Sequence, residues 1–161
     1  MATAPVPSLE QSIPSVPNPL PLRAHMALCL LGFRGSGYSP EFVVQMQAIQ
    51  DTLRANPDHE VALIDGEDSI CGACPHLVPQ HGCTLGGPDH EAHMTAHDRE
   101  VLRRLALAPD RQLPWSELLA RIGGAIRGAD LDAICTTCPW LPLGVCRQSV
   151  DALRPPPPEG H

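Results

Sequence analysis

Two cysteine segments of almost the same composition stand far apart in the sequence. ICGACPHLVPQHGC runs from Ile70 to Cys83, and ICTTCPWLPLGVC runs from Ile134 to Cys146. In each segment a Cys-x-x-Cys-Pro motif is followed by a third cysteine, after eight residues in the first segment and seven in the second. The six cysteines of the repeat are Cys71, Cys74, Cys83, Cys135, Cys138 and Cys146.

A Cys-x-x-Cys turn directs two sulfurs toward one centre, as tetrahedral thiolate coordination of a metal requires. Two alternatives compete with a metal site. The cysteines could be buried thiols or disulfides that pack a small domain, or a thioredoxin-like redox pair. The redox pair is disfavoured because neither motif stands at a strand-to-helix turn in a βαβ pattern. The doubled motif therefore predicts that all six cysteines bind metal.

Each triplet of cysteines is one ligand short of four. Cys29 is the seventh cysteine, and His25 stands four residues before it, so a helix would place both on one face. Cys29 and His25 are therefore candidates for the missing ligands. Zinc suits closed tetrahedral sites, whereas an almost pure sulfur donor set with Cys-Pro endings suits one or two iron–sulfur clusters. A [4Fe–4S] cluster on three cysteines would leave one iron open to a substrate. Spacing alone does not separate these cases.

Composition excludes several function classes. The 161 residues carry a net charge of -7, which argues against a nucleic-acid partner, and no apolar run is long enough to span a membrane. The first twenty residues contain five prolines and no basic residue, unlike a signal peptide. We expect a cytoplasmic protein with a disordered leader (1–21), a metal-binding domain (22–153) and a disordered Pro-rich tail (154–161). A redox partner protein or a small-molecule substrate is the expected partner.

The hydrophobic pattern predicts a mainly α fold in one small domain. LRAHMALCLLGF, which starts at Leu22, favours a short helix. Ser39-Pro40 opens a second helix, whose buried face carries Phe42, Met46, Ile49 and Leu53. EVALID (60–65) resembles a short strand. Two further helices, about 91–107 and 115–126, should form a hairpin between the cysteine segments and bring Cys83 near Cys135.

Three weaker signals have ordinary interpretations. His90, His93 and His97 fall at i, i+3 and i+7, and a solvated helix face is favoured over a three-histidine metal site. Arg34 follows a glycine-rich turn in which an anion site is less favoured than a simple turn. The acidic residues just before the first cysteine segment (Asp65, Glu67 and Asp68) are predicted to solvate a loop.

The order of the motifs resembles a bacterial and archaeal family catalogued as domain of unknown function 1284. The resemblance rests on LRAHMALCLLGFRGSGYSPEFVVQM, DSICGACPH, DREVLRRLAL and ICTTCPW, and covers about 22–146. It implies iron–sulfur binding, and it carries over Arg23, His25, Cys29, the turn 35–38 and the six repeated cysteines. His25-Met26 replaces a pair of histidines common in the family.

Three functions remain in competition after the resemblance is taken into account. The first is a soluble iron–sulfur protein for electron transfer or redox sensing. The second is an enzyme with an open iron, in which Arg23 or Arg34 would hold an anion. The third is an interaction module stapled by zinc.

Overall fold

The fold is known from a computed structural model that describes residues 15–35, 37–78, 82–84, 87, 90–136 and 141–154. The proposed leader up to residue 14, the tail from residue 155 and Cys138 lie outside the described residues. The α-helices are α1 (Ala24–Gly32), α2 (Pro40–Ala55), α3 (Ser69–Gly72), α4 (His90–Leu105), α5 (Trp115–Ala125), α6 (Leu131–Ile134) and α7 (Val145–Asp151). The 3₁₀ turns are Gly128–Asp130 and Leu141–Leu143. The strands are β1 (Leu20–Arg23), β2 (Glu60–Ile64), β3 (Leu77–Val78), β4 (Gly82–Cys83) and β5 (Gln112–Pro114).

Helices dominate the described part of the chain, as predicted, and they surround a small mixed sheet. Strand β2 lies in its centre, pairing parallel with β1 and antiparallel with β5. The parallel pair aligns Arg23 with Ile64, so the carboxyl ends of β1 and β2 lie at the same edge of the sheet. A second, two-stranded hairpin joins β3 to β4 within the first cysteine segment.

The helices form where the sequence pattern predicts them. The Ser39 hydroxyl accepts a hydrogen bond from the Phe42 N–H at 3.1 Å and caps α2, and the four apolar residues predicted for that helix are all buried. Helices α4 and α5 pack against each other, with strand β5 between them in the sequence. The proximity of Cys83 and Cys135 stays a prediction. No helix in the described ranges is long and apolar enough to cross a bilayer.

One boundary differs from the prediction. The stretch predicted as a single helix begins as strand β1, and the helix starts only at Ala24. Leu20 and Leu22 are fully buried in the sheet, where they stand opposite Val61 and Leu63 of β2. The strand therefore depends on pairing with a distant segment. This ending of β1 places Arg23 at the sheet edge, immediately before α1.

Candidate metal centre

Arg23 is a buried cation at the edge of the sheet, with only 2% of its surface exposed. Its Nε donates to Asp98 Oδ2 at 2.7 Å, and its two terminal nitrogens donate to the two oxygens of Glu91 at 3.1 and 2.9 Å. Burial alone would lower the pKa of Arg23, but hydrogen bonding to Glu91 and the charge of Asp98 raise it overall. The guanidinium is thus held charged between two carboxylates.

Asp98 joins this cation to the start of α1. The carboxylate is fully buried, and its Oδ1 accepts the backbone N–H of His25 at 3.1 Å. The same oxygen lies 2.6 Å from His25 Nδ1. Because a carboxylate accepts hydrogen bonds, this contact favours the tautomer with the proton on Nδ1 and turns Nε2 away from Asp98. His25 is therefore oriented by a fixed partner, as metal-binding histidines commonly are.

The same network holds the backbone of the first cysteine segment. Asp68 accepts the Arg23 N–H at 2.8 Å and the Cys71 N–H at 2.9 Å. Glu91 accepts the Cys83 N–H at 3.0 Å while it binds the Arg23 guanidinium. Arg23 Nη1 also lies 3.8 Å from Cys71 Sγ. Both ends of the segment are thus tied to one buried arginine through two carboxylates. We call Arg23, Asp68, Glu91 and Asp98 the arginine network.

The thiol of Cys71 is partly removed from water and lies near the carboxylate of Asp68. Burial and the negative charge of Asp68 raise the pKa of Cys71 to about 12, against the opposing effect of Arg23. Burial likewise raises the pKa of Asp68. The Cys71 side chain is consequently a protonated thiol at neutral pH in the metal-free chain.

Cys74 and Cys83 approach each other across the β3–β4 hairpin. Leu77, three residues after Cys74, pairs with Cys83 in this hairpin. Burial and a charge on Cys83 raise the pKa of Cys74, whereas hydrogen bonds from the backbone of His76 and Leu77 oppose that rise. Backbone groups thus support a negative sulfur at Cys74, as the Cys-Pro turn predicts.

Gly82 lets α4 approach the hairpin. Its φ of 75° is in the left-handed region, and a Cβ at this position would lie 2.5 Å from Glu91 Cγ. A side chain at Gly82 would therefore displace the carboxylate that binds both Arg23 and Cys83. The sequence alone gave no sign of this close approach.

The prediction of a solvated histidine face is wrong for two of its three residues. His90 and His97 are buried, and only His93 is exposed. Burial and the nearby His25 lower the pKa of His97 to about 4, so its ring is neutral. The His97 ring lies edge-on to His25, with centroids 5.7 Å apart, and its Nε2 is 3.3 Å from Thr136 Oγ1. His97 therefore connects the arginine network with the residue after Cys135.

His90 has a buried ring nitrogen without a partner. Its Nε2 accepts and donates no hydrogen bond within the described residues. Burial and the nearby His93 lower the pKa of His90, which favours the neutral ring. A neutral, buried imidazole nitrogen is suited to a metal or to an ordered water. His90 was not among the ligands predicted from the sequence.

The described cysteines of the second segment pack on the main core. Cys135 is buried at the end of α6, and Cys146 is half-buried in the first turn of α7. Both pack on the main core, as does half-buried Cys29 of α1. Within the described ranges, no three His, Cys, Asp or Glu side chains are arranged to hold a metal ion. The complete ligand set, which includes Cys138, therefore stays a prediction.

The structure bears on the roles expected for Arg23, Arg34 and Asp68. Arg23 donates to Asp98 and Glu91 within the described residues, so its charge is balanced by carboxylates of the chain itself. Arg34 donates to the carbonyl oxygens of Leu31 and Phe33 at the end of α1, consistent with a structural turn. Asp68 is buried and structural, so its assignment to a solvated loop is wrong.

Replacing Glu91 by alanine should release the backbone of Cys83. A hydrogen bond to a charged acceptor contributes about 1.5–3 kcal/mol, which corresponds to at least about 10-fold in local opening. We expect amide hydrogen exchange at Cys83 to accelerate by about that factor. Glu100→Ala is the matched control, because Glu100 lies on the same helix but pairs with Arg103 and Arg104. Equal exchange in the two variants would contradict the role of Glu91.

Comparison with known protein families gives one match. The family model described as "Protein of unknown function (DUF1284)" matches residues 37–144, well over half of the chain. The chain belongs to this family. The matched range contains five cysteines of the repeat, whereas His25, Cys29 and Cys146 lie outside it. No curated protein and no solved structure is significantly similar to the chain.

Proposed function

We propose that this protein binds an iron–sulfur cluster of the [4Fe–4S] type through its repeated cysteines and serves electron transfer or redox sensing. The observation that carries the proposal is the arginine network, which binds the backbone of Cys71 and Cys83 through Asp68 and Glu91. Buried hydrogen-bonded residues of this kind orient ligands and tune metal centres. A cluster bound there would supply one-electron chemistry.

The donor chemistry of the described residues fits such a group. Arg23 lies beside Cys71, and backbone hydrogen bonds reach Cys74, so both sulfurs have groups that stabilise negative charge. The raised pKa values of Cys71 and Cys74 argue against a nucleophilic cysteine, because the reactive form is the thiolate. Thiols that stay protonated until a soft metal displaces the proton suit a resident metal better than a thioredoxin-like pair.

An enzyme with an open iron is the second candidate, and His90 favours it. The buried Nε2 of this residue, which has no partner among the described residues, offers a nitrogen ligand close in sequence to Glu91, which binds Cys83. In such a site one iron has a coordination position that a histidine or a substrate occupies, whereas in an all-thiolate cluster every iron is bound by a cysteine. Arg23 would act there through Glu91 and Asp98, the carboxylates that its guanidinium binds.

Metal and sulfide analysis of anaerobically purified protein tests the proposal. We expect iron and acid-labile sulfide in the protein and a brown colour, with absorbance near about 400 nm that dithionite bleaches. Asp68→Ala should weaken metal binding by about 10–100-fold, as loss of an outer partner of a ligand does. Asp65→Ala is the control, because Asp65 precedes the same segment but forms an exposed ion pair with Arg99.

Two outcomes would contradict the iron–sulfur proposal. A colourless anaerobic preparation with stoichiometric zinc would favour the zinc-stapled module instead. Equal metal content in the Asp68 and Asp65 variants would show that the arginine network does not contribute to metal binding. Electron paramagnetic resonance of the reduced protein separates full thiolate coordination from a site with a nitrogen ligand at His90.

A further inference from the structure

Gly32, the last residue of α1, lies directly against Cys146 of α7. A Cβ at position 32 would stand 2.4 Å from Cys146 Sγ, 3.0 Å from its Cα and 3.1 Å from its N. Any residue larger than glycine would therefore push the thiol and the start of α7 away from α1. The absence of a side chain at Gly32 is what allows the Cys146 sulfur to reach the surface of α1.

Cys29 stands one turn before Gly32 on the same side of α1. Residues three apart on a helix are neighbours, and Cα–Cβ bonds tilt toward the helix start. Arg34 connects the end of α1 to α7. It donates to Leu31 O and Phe33 O, and also to Ser149 Oγ of α7 at 3.2 Å. The packing of α7 on α1 therefore brings the half-buried cysteines Cys29 and Cys146 to one region.

This region and the arginine network lie at opposite ends of α1. Arg23 immediately precedes the helix, and Gly32 ends it nine residues later. Nine helical residues span about 13 Å, and Cys71 contacts the Arg23 side chain at one end of this span whereas Cys146 contacts Gly32 at the other. Cys71 and Cys83, which are tied to Arg23 and its partner Glu91, therefore belong to a different centre from Cys146.

We infer that Gly32 is a positioning residue that places Cys146 beside Cys29, and that these two thiols belong to a second thiolate metal site at the end of α1. The site takes a soft, thiophilic metal or cluster. This inference rests on the proposed function, because it assumes that the cysteines bind metal. The inference assigns the ligands to two centres. Cys29 of α1 joins Cys146 of the second cysteine segment, whereas the first segment forms a separate centre next to the arginine network.

Anaerobic titration of the reduced, metal-free protein with Cd²⁺ tests the regrouping through the sulfur-to-cadmium absorption band. Cys29→Ala and Cys146→Ala should each lose the same part of the bound cadmium, and the double variant should lose no more than either one. Cys74→Ala should lose the other part. Combining Cys74→Ala with Cys146→Ala should abolish tight binding at both sites.

Gly32→Ala tests the positioning role. We expect about 10–100-fold weaker cadmium binding at the site that Cys146→Ala removes, with binding at the other site unchanged. Gly124→Ala is the matched control, because Gly124 also lies in a helix but nothing stands within 4 Å of a Cβ placed there. A loss of stability alone would affect both sites, so this site-selective loss separates positioning from a general structural role.

If Gly32→Ala does not fold, the double variant with Cys146→Ala decides the question. Removal of the Cys146 sulfur relieves the shortest contact, so circular dichroism should show that the fold returns while the second site stays lost. A double variant that is as unfolded as Gly32→Ala would show that the contacts at 3.0 and 3.1 Å with the backbone of residue 146 suffice to exclude a side chain, and it would overturn the role of the thiol as the main obstacle. Different cadmium losses in the Cys29 and Cys146 variants would overturn the grouping but leave the thiolate centre intact. Absence of cadmium binding by the unaltered protein would overturn the proposed function with it.

Discussion

Replacing Arg23 by methionine is expected to destabilise the metal-free protein by about 3–5 kcal/mol, because it leaves buried charges without a partner. Asp98 is fully buried and Glu91 is partly buried, and both lose their main cation. Arg23→Lys should recover only part of this loss, since an ammonium group cannot bind two carboxylates with the forked geometry of guanidinium. Urea denaturation followed by circular dichroism measures the effect.

Arg99→Met is the control for this prediction. Arg99 forms an exposed ion pair with Asp65, and such pairs contribute less than about 1 kcal/mol. A free energy of unfolding that is equal in the Arg23 and Arg99 variants would contradict the central place of Arg23. Thiol alkylation should also be faster at Cys83 in the Arg23 variant, because Glu91, which accepts the Cys83 N–H, loses its guanidinium partner. The contact of Asp68 with Cys71 should stay, since Asp68 binds the backbone N–H of residue 23.

Metal uptake by the first cysteine segment should depend steeply on pH. The pKa of Cys71 is raised to about 12 and that of Cys74 is also raised, so both are protonated thiols at neutral pH before metal binds. Binding as thiolate releases each proton, and the apparent affinity then increases about 10-fold per pH unit for each proton released. Between pH 6 and pH 8 we expect about 100-fold tighter binding for each such thiol.

The composition makes this prediction straightforward to measure. The chain has one tyrosine and seven cysteines, so ultraviolet absorbance during an alkaline titration reports mainly the cysteines. Cys71→Ala should reduce the number of released protons by about one. A binding affinity that does not change between pH 6 and pH 8 would show that the thiols are already ionised and would contradict the raised pKa of Cys71.

The sequence predicts the helices well because their signals are local. The hydroxyl cap at Ser39 and the apolar spacing of Phe42, Met46 and Ile49 act within single turns, and the structure follows them. Strand β1 could not be read in this way. Leu20 and Leu22 become strand residues only through parallel pairing with β2, which lies about forty residues further along the chain.

The arginine network was missed for a similar reason. Arg23, Asp68 and Asp98 are charged, and a charged residue in a sequence is usually exposed. Their burial results from mutual pairing of residues that are 45 and 75 positions from Arg23, and no local pattern reports it. The cysteine repeat indicates which residues could bind metal, whereas the groups that hold them in place emerge only from the tertiary structure.

The wide sequence separation within the arginine network also bears on the order of events during biosynthesis. The Cys-x-x-Cys pairs are local, so a nascent chain can capture metal as soon as the first pair has been synthesised. Asp98 follows Arg23 by 75 residues, and the carboxylates that hold Cys71 and Cys83 take their positions only after those long loops have closed. Metal captured early should therefore exchange readily with other thiols, and it should become slow to leave once α4 has been made and has docked on α1.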